Sequence, residues 1–374
     1  MKVLILGDIN SVHIRKWCLG LAGRGISIGI FSLTELGVNW FKDLDNIEVL
    51  GHGAIKDAAT FHKKVISKVQ YLKVVPSLKK AIKAFKPDIL HAHYATSYGL
   101  LGALSGFHPF YISMWGNDVF DFPNEGVLNR EVLKYNLRSA DRIFSTSYTM
   151  EVETKKYTDK DVQVIPFGVN LEMFYPDNSS NTEENKSIVI GTIKTLEKEY
   201  AIHDLIKAFS ILKIENPNLD LKLLIAGTGT LEDNLKELVQ GLGLSDQTTF
   251  TGFIEPVDVP KYHNMIDVFV CLSVRESFGV AVVEAMACGK PVVVSNADGL
   301  PEVVDHEKTG FVVTTNDPKA AAKAINELVH DKSLQLSMGE RGRKKAIAEY
   351  DWNNCVITME EAYLQANDAN HTSP

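Results

Sequence analysis

The run from Arg275 to Pro291 (Arg-Glu-Ser-Phe-Gly-Val-Ala-Val-Val-Glu-Ala-Met-Ala-Cys-Gly-Lys-Pro) places two carboxylates, Glu276 and Glu284, eight residues apart around a glycine. The apolar stretch Val268–Leu272 reads as a strand, and Gly279 then opens a helix over Val280–Cys288. Backbone N–H groups at a helix start can bind phosphate, helped by the positive end of the helix dipole. Glu276 belongs to the loop before that helix. Glu284 falls two turns into it, on an otherwise apolar face, where a carboxylate needs donors and sugar hydroxyls are suitable ones. Taken singly, each has a plainer reading: Glu276 as a helix-start carboxylate and Glu284 as an internal cap.

The whole pattern is more specific. Glu-x-Phe-Gly at 276–279, the second glutamate, Ala-Cys-Gly-Lys-Pro-Val-Val at 287–293 and Gly299-Leu300-Pro301-Glu302 resemble family 4 of the retaining glycosyltransferases. The resemblance continues through Ile225-Ala226-Gly227-Thr228-Gly229, Phe250-Thr251-Gly252, Thr309-Gly310-Phe311 and Ile165-Pro166-Phe167-Gly168-Val169, and so covers roughly residues 1 to 352. It implies the GT-B fold. It also implies that Glu276 lies near the donor sugar and its phosphates, that Gly227, Phe278 and Gly279 shape the donor site, and that Glu284 accepts hydrogen bonds from the ribose. The family places an arginine and a lysine after the first strand of the second domain to hold the diphosphate. Lys198 matches the lysine. Thr192 stands where many members have arginine, and Lys194, two residues on, is the candidate replacement. A lysine is a point charge where arginine offers a bidentate fork.

In the first half, Gly7 and Asp8 follow the first strand, where many members carry two glycines, and both are assigned to the acceptor side. His13 and Arg15 stand near a helix start, as caps or as ligand contacts. His93 ends the strand His91-Ala92-His93, either as a satisfied core group or as a contact to acceptor or phosphate. In Met114-Trp115-Gly116-Asn117-Asp118 the tryptophan replaces the histidine of the family's His-Gly-x-Asp, so that histidine's role does not carry over. Gly116 and Asp118 match, and Asp118 is the expected acceptor contact. The catalytic candidates are thus Glu276, Lys198, Asp118 and His93. The two Asp-x-Asp pairs, Asp43/Asp45 and Asp159/Asp161, do not sit at strand ends in a metal motif, so no metal ligand and no cofactor is expected. No Gly-x-Gly-x-x-Gly follows Leu6, which argues against a dinucleotide-dependent dehydrogenase.

These residues need a scaffold. Val3–Leu6, Ile26–Phe31, Ile89–His91, Tyr111–Ser113, Ile143–Ser145 and Val162–Ile165 read as strands in the first half. In the second half Ile188–Ile190, Leu221–Ala226, Val268–Leu272 and Val292–Ser295 do so. Continuously apolar runs suit strands covered on both faces. Helix-length segments such as His13–Leu21, Ala201–Leu212 and Leu231–Leu242 alternate with them. The rhythm occurs twice, which predicts an α/β protein of two doubly wound Rossmann-like domains facing a central cleft. The expected division is residues 1–168, 169–350, and a C-terminal segment 351–374 whose helix packs back on the first domain.

A chain of 374 residues accommodates two domains. The charge is uneven: residues 1–176 hold 21 basic and 17 acidic side chains, and residues 177–374 hold 18 and 30, giving +4 and −12. No basic stripe covers the chain, so nucleic acid is not an expected partner. Four scattered cysteines fit reduced thiols in a cytoplasmic protein and form no zinc motif. Residues 53–88 carry nine lysines and two acids, with Phe61, Val65, Val69 and Leu72 at helical spacing before Pro76, which is expected to end that helix. The segment is either an ordinary solvated amphipathic helix or a dock for anionic lipid, the latter making the protein peripheral on the inner face of the plasma membrane. The resulting expectation is a metal-independent retaining glycosyltransferase. It would move a sugar from a nucleotide-diphosphate donor, UDP-sugar ahead of GDP-sugar, to a glycan or lipid-linked acceptor in cell-surface polysaccharide synthesis. The alternatives are a sugar-nucleotide epimerase of the same fold and a nucleotide-sugar-binding protein without catalysis.

Overall fold

The structure, a computed structural model, describes residues 1–53, 69–177 and 187–371. The chain divides into two units, Met1–Pro166 with Asn353–Pro374, and Phe167–Trp352. Phe167 and Gly168 fall in the second unit, two residues away from the division read in the sequence. The ring of Phe167 meets that of Phe278, 6.4 Å between centroids.

The first unit is built on seven strands: β1 (Lys2–Leu6), β2 (Ser27–Phe31), β3 (Ile47–Gly51), β4 (Ile89–His93), β5 (Phe110–Ser113), β6 (Arg142–Ser145) and β7 (Val162–Val164). They form one sheet in the order β3-β2-β1-β4-β5-β6-β7, and every pairing is parallel. The second unit has six: β8 (Ile188–Ile193), β9 (Leu221–Ala226), β10 (Thr248–Phe250), β11 (Val268–Cys271), β12 (Val292–Ser295) and β13 (Gly310–Val313). Their order is β10-β9-β8-β11-β12-β13, again all parallel. Parallel neighbours need crossovers, and helices such as Val12–Gly23, Ile202–Glu215, Glu232–Gly241 and Val280–Ala287 supply them. In each sheet the strand order reverses beside the unit's first strand, between β1 and β4 and between β8 and β11. Ligands of open α/β sheets sit outside the carboxyl ends of strands at such a reversal. Those ends carry Gly7 and His93 in one unit, and Lys194 and the loop from Leu272 in the other.

Three strands are absent from the sequence reading, and all lie at sheet edges: β3, β10 and β13. An edge strand is not covered on both sides, so its apolar signal is weak. β3 has one buried residue in five, and β10 is the three-residue run Thr-Thr-Phe with none. The expectation that Pro76 ends a helix is corrected: the helix Val69–Phe85 runs through it. Pro76 lies on the exposed side, where water can take the hydrogen bond it cannot make. Phe61 and Val65 of the proposed lipid stripe, with Lys63, Lys64 and Lys68, lie outside the described residues. Among the described residues no helix is long and apolar enough to cross a membrane.

The helix Trp352–His371 is tied to the first unit by polar bonds as well as packing. Tyr363 is fully buried and its Oη lies 2.6 Å from His91 Nδ1 on β4. Arg142 at the start of β6 donates to Gln365 Oε1 at 2.8 Å and to the Ala362 carbonyl at 3.3 Å, and Arg24 pairs with Glu360. Removing one partner from a buried hydrogen bond costs about 1–3 kcal/mol. Tyr363→Phe, which keeps the ring and strips only the hydroxyl, is therefore expected to lower the free energy of unfolding in urea by that amount. An unchanged midpoint would show that the bond contributes nothing.

Candidate active site

In the second unit the site starts where β8 ends. Thr192 is a buried member of that strand, whereas Lys194 is the first residue beyond it. The Lys194 ammonium sits 2.5 Å from Glu276 Oε2 and 4.4 Å from the centre of the Tyr200 ring. Burial works against its charge. The charge of Glu276 outweighs that effect and holds the ammonium above the ordinary lysine range. Glu276 is itself anchored: Ser273 Oγ donates to the same Oε2 at 3.2 Å, and its backbone N–H donates to Asp298 Oδ2 at 3.0 Å. All the side-chain bonds converge on Oε2, so Oε1 remains available to a ligand. Burial pushes the Cys271 thiol up, which keeps it a neutral neighbour.

Two glycines make this geometry possible. Gly227 has φ +131°, and a Cβ there would lie 2.0 Å from the Lys194 carbonyl oxygen. The loops after β8 and β9 can thus lie against each other, joined by Lys194 N–H to the Ala226 carbonyl (2.9 Å) and Leu196 N–H to the Thr228 carbonyl (3.0 Å). Gly279, with φ +104°, turns the chain into the helix Val280–Ala287, and a Cβ there would press on Leu300 at 2.8 Å. The Gly279 carbonyl accepts from Val282 and Val283, which leaves the Val280 and Ala281 N–H groups unbonded among the described residues and open to an anion. Phe278 does not face a ligand. Its ring is buried against Phe167 and Tyr350, so it shapes the site by fixing the backbone beside Gly279.

Lys198 and Lys194 are separated in character. Lys198 is exposed in the short 3₁₀ turn Lys198–Tyr200, with no ion pair among the described residues. Lys194, four residues earlier, is the lysine inside the cluster. Glu284 already has a partner: His263, 3.3 Å away and fully buried. That histidine carries no motif signature in the sequence, where it stands among other polar residues of the segment before β11.

In the first unit His93 is buried at the end of β4, its ring stacked on His91 at 4.3 Å and tilted against Trp115 at 5.3 Å and Trp17 at 6.5 Å. His13 meets Trp115 edge-on at 5.7 Å. Neither ring nitrogen of His93 has a hydrogen-bond partner among the described residues, while His91 uses both of its own, on Tyr363 and Ser113. Gly7 packs on Ile14, and Asp8 accepts from Thr34 Oγ1 at 2.5 Å and from the Asn10 N–H at 3.0 Å, ordering its own loop. Asp118, the expected acceptor contact, turns its carboxylate to the backbone. Its carboxylate is fully buried and takes backbone N–H bonds from Ala95 (2.8 Å), Gly116 (2.8 Å) and Trp115 (3.1 Å). Asp118 clamps the loops after β4 and β5, and Trp115, half-buried, is what that clamp presents. Burial raises its pKa, and the backbone bonds oppose that rise.

The chain matches the family models "Glycosyl transferases group 1" over residues 176–345 and "Glycosyl transferase 4-like" over residues 2–147. It is 26% identical to the N-acetyl-alpha-D-glucosaminyl L-malate synthase of Bacillus anthracis over 74% of each chain. It is 29% identical to a GDP-mannose-dependent phosphatidylinositol monomannoside mannosyltransferase of Mycobacterium tuberculosis over 56% of this chain and 57% of that one. Sucrose-phosphate synthase from Thermosynechococcus elongatus has the same fold, with TM-score 0.84, 22% identity, and 99% of this chain and all of the other covered. So does an Anabaena protein solved with UDP and glucose, with TM-score 0.79, 19% identity, and 98% of this chain and all of that one covered. The chain belongs to the group 1, family 4-like glycosyltransferases of GT-B fold.

The stacked histidines generate a pH dependence. Burial lowers the pKa of His93 to about 3, and burial together with the charge of His93 lowers His91 well below 6.5. Below about pH 6.5 the unfolded chain binds protons at these rings that the folded chain refuses, so stability falls as pH drops through that window. The slope is about 1.4 kcal/mol per pH unit for each ring. Unfolding followed from pH 8 to pH 5 is expected to show this loss, with a shallower slope in His93→Phe. Equal slopes would remove His93 from the account.

Proposed function

We propose that this glycosyltransferase uses a nucleotide-diphosphate sugar bound at the carboxyl ends of β8 and β11 and transfers the sugar with retention of configuration. The observation that carries the reading is the Lys194–Glu276 pair beside a helix start with unbonded N–H groups. The ammonium and the Val280 and Ala281 N–H groups suit a diphosphate, and Glu276 Oε1 suits a sugar hydroxyl. As the glycosidic bond breaks, negative charge grows on the leaving diphosphate. A cation fixed in place before the reaction stabilises that charge without reorganisation. Lys198, exposed and mobile by side-chain length, is suited to reach the same phosphates. Among the described residues the hydroxyl bonded to Glu276, that of Ser273, is fully buried and so is not presented to a donor as a nucleophile. Retention is accordingly assigned to front-face attack, with a donor phosphate oxygen taking the acceptor proton. The protein's part is orientation and charge stabilisation.

The donor is read as a UDP-sugar ahead of a GDP-sugar. The Anabaena neighbour was solved with UDP and glucose, although the mycobacterial relative is named for GDP-mannose. The acceptor is read as a glycan or lipid-linked saccharide recognised by the first unit around Trp115, His93 and Asp8. The cell-surface polysaccharide role and the lipid dock through residues 53–88 rest on the sequence pattern. In the described part of that segment Leu72, Lys73, Lys79, Lys80 and Lys83 are exposed.

Incubation with radiolabelled UDP- and GDP-sugars, with and without EDTA, tests this. Transfer to a saccharide acceptor, or slow release of free sugar without one, is expected, undiminished by the chelator. Interconversion of the sugar nucleotide would indicate an epimerase, binding without turnover would indicate lost catalysis, and magnesium-reversible loss in EDTA would refute metal independence.

A further inference from the structure

We propose that His263 is a positioning residue of the donor site, holding Glu284 by one oxygen so that the other is presented to the nucleotide ribose. This rests on the reading of Glu284 as the ribose acceptor.

His263 lies on the helix Val259–Met265, which packs beside the helix Val280–Ala287 that carries Glu284. Its side chain is fully buried, whereas Glu284 keeps one-fifth of its own exposed. The ring is fixed by Phe269 of β11 at 5.2 Å and by Phe174 at 5.9 Å, edge-on. Its Nε2 is 3.3 Å from Glu284 Oε2. Its Nδ1 has no partner among the described residues. A buried N–H without an acceptor is costly, whereas a bare ring nitrogen facing apolar groups costs less, so the ring proton belongs on Nε2, pointing at the carboxylate.

The consequence is an asymmetric carboxylate. Oε2 is tied inward to a ring that packing prevents from turning. Oε1 has no bond among the described residues, and the exposed part of the side chain gives it access to solvent. A free glutamate on a helix samples several rotamers, and binding must order one of them at a cost in entropy. His263 meets that cost during folding. The helix bearing His263 is held in turn by its neighbour Asn264, which donates to the Tyr175 carbonyl at 3.0 Å and accepts from the Asp177 N–H at 2.9 Å. The segment before β8, in the same unit, therefore supports the same spot.

The test is a double-mutant cycle read by calorimetry with UDP and with GDP, following whichever binds the unmodified protein more tightly. Glu284→Ala is expected to weaken that nucleotide about 10-fold or more. His263→Phe, which keeps a ring but loses the donor, is expected to weaken it about 3- to 10-fold. His263→Gln places an amide N–H where Nε2 was and should restore most of the affinity. In the Glu284→Ala background His263→Phe should add less than about 1.5-fold, because its effect passes through the carboxylate. Thermal unfolding of each variant identifies any that fail to fold. A full effect of His263→Phe in the Glu284→Ala background, or no rescue by folded His263→Gln, would make His263 a packing residue only. Unchanged affinity in Glu284→Ala would overturn the ribose reading, and the proposal with it.

Discussion

An ammonium taken out of water is unstable unless its surroundings replace the lost hydration, and Lys194 is such a group. Its stability depends on Glu276, and a buried pair of this kind is costly to break from either side, because the survivor is left as an uncompensated charge. The neighbouring structure follows from that constraint. Ser273 fills the second position on Glu276 Oε2, Tyr200 offers its ring face to the ammonium, and Asp298 holds the Glu276 backbone. Gly227 gives up a side chain so that the loop bearing Lys194 can lie against the loop after β9. The pair also unites two strands that are neighbours in space and far apart in sequence, β8 and β11, at the place where the sheet order reverses.

The first unit solves a related problem without a charge. Its loops at the corresponding reversal are held by Asp118, buried on three backbone N–H groups, and by the chain Tyr363–His91–Ser113 that fixes β4 to β5 and to the C-terminal helix. What these supports present is an aromatic group, His93, Trp115 and His13, in which burial keeps His93 neutral at ordinary pH. A neutral imidazole offers one donor and one acceptor nitrogen, both without a partner among the described residues, and indole faces suit sugar rings. One sheet therefore carries a charged end suited to a diphosphate, and the other an aromatic end suited to a saccharide.

Much of this was legible in the sequence because close-packed parallel strands leave continuous apolar runs and because Gly227, Gly279 and the two glutamates stand in a tight motif. The edge strands β3 and β10 were not legible, since half-exposed strands are short and mixed in character. Asp118 was visible as a matching residue, but its type does not distinguish a carboxylate facing a ligand from one saturated by its own backbone. Only the three N–H bonds decide that. The His263–Glu284 contact joins residues 21 apart on two helices, a relation no local spacing encodes. Thr192 drew attention to a missing arginine, and the neighbouring Lys194 could be suspected as its replacement. Its ion pair with a residue 82 positions away could not.

The donor's diphosphate is proposed to lie against Lys194 and the start of the helix Val280–Ala287. The most direct measurement is a crystal structure with UDP or GDP bound. The account predicts phosphate oxygens within hydrogen-bonding distance of Lys194 Nζ and of the Val280 or Ala281 N–H. A bound nucleotide whose phosphates touch neither, or whose site lies away from the carboxyl ends of β8 and β11, would contradict it.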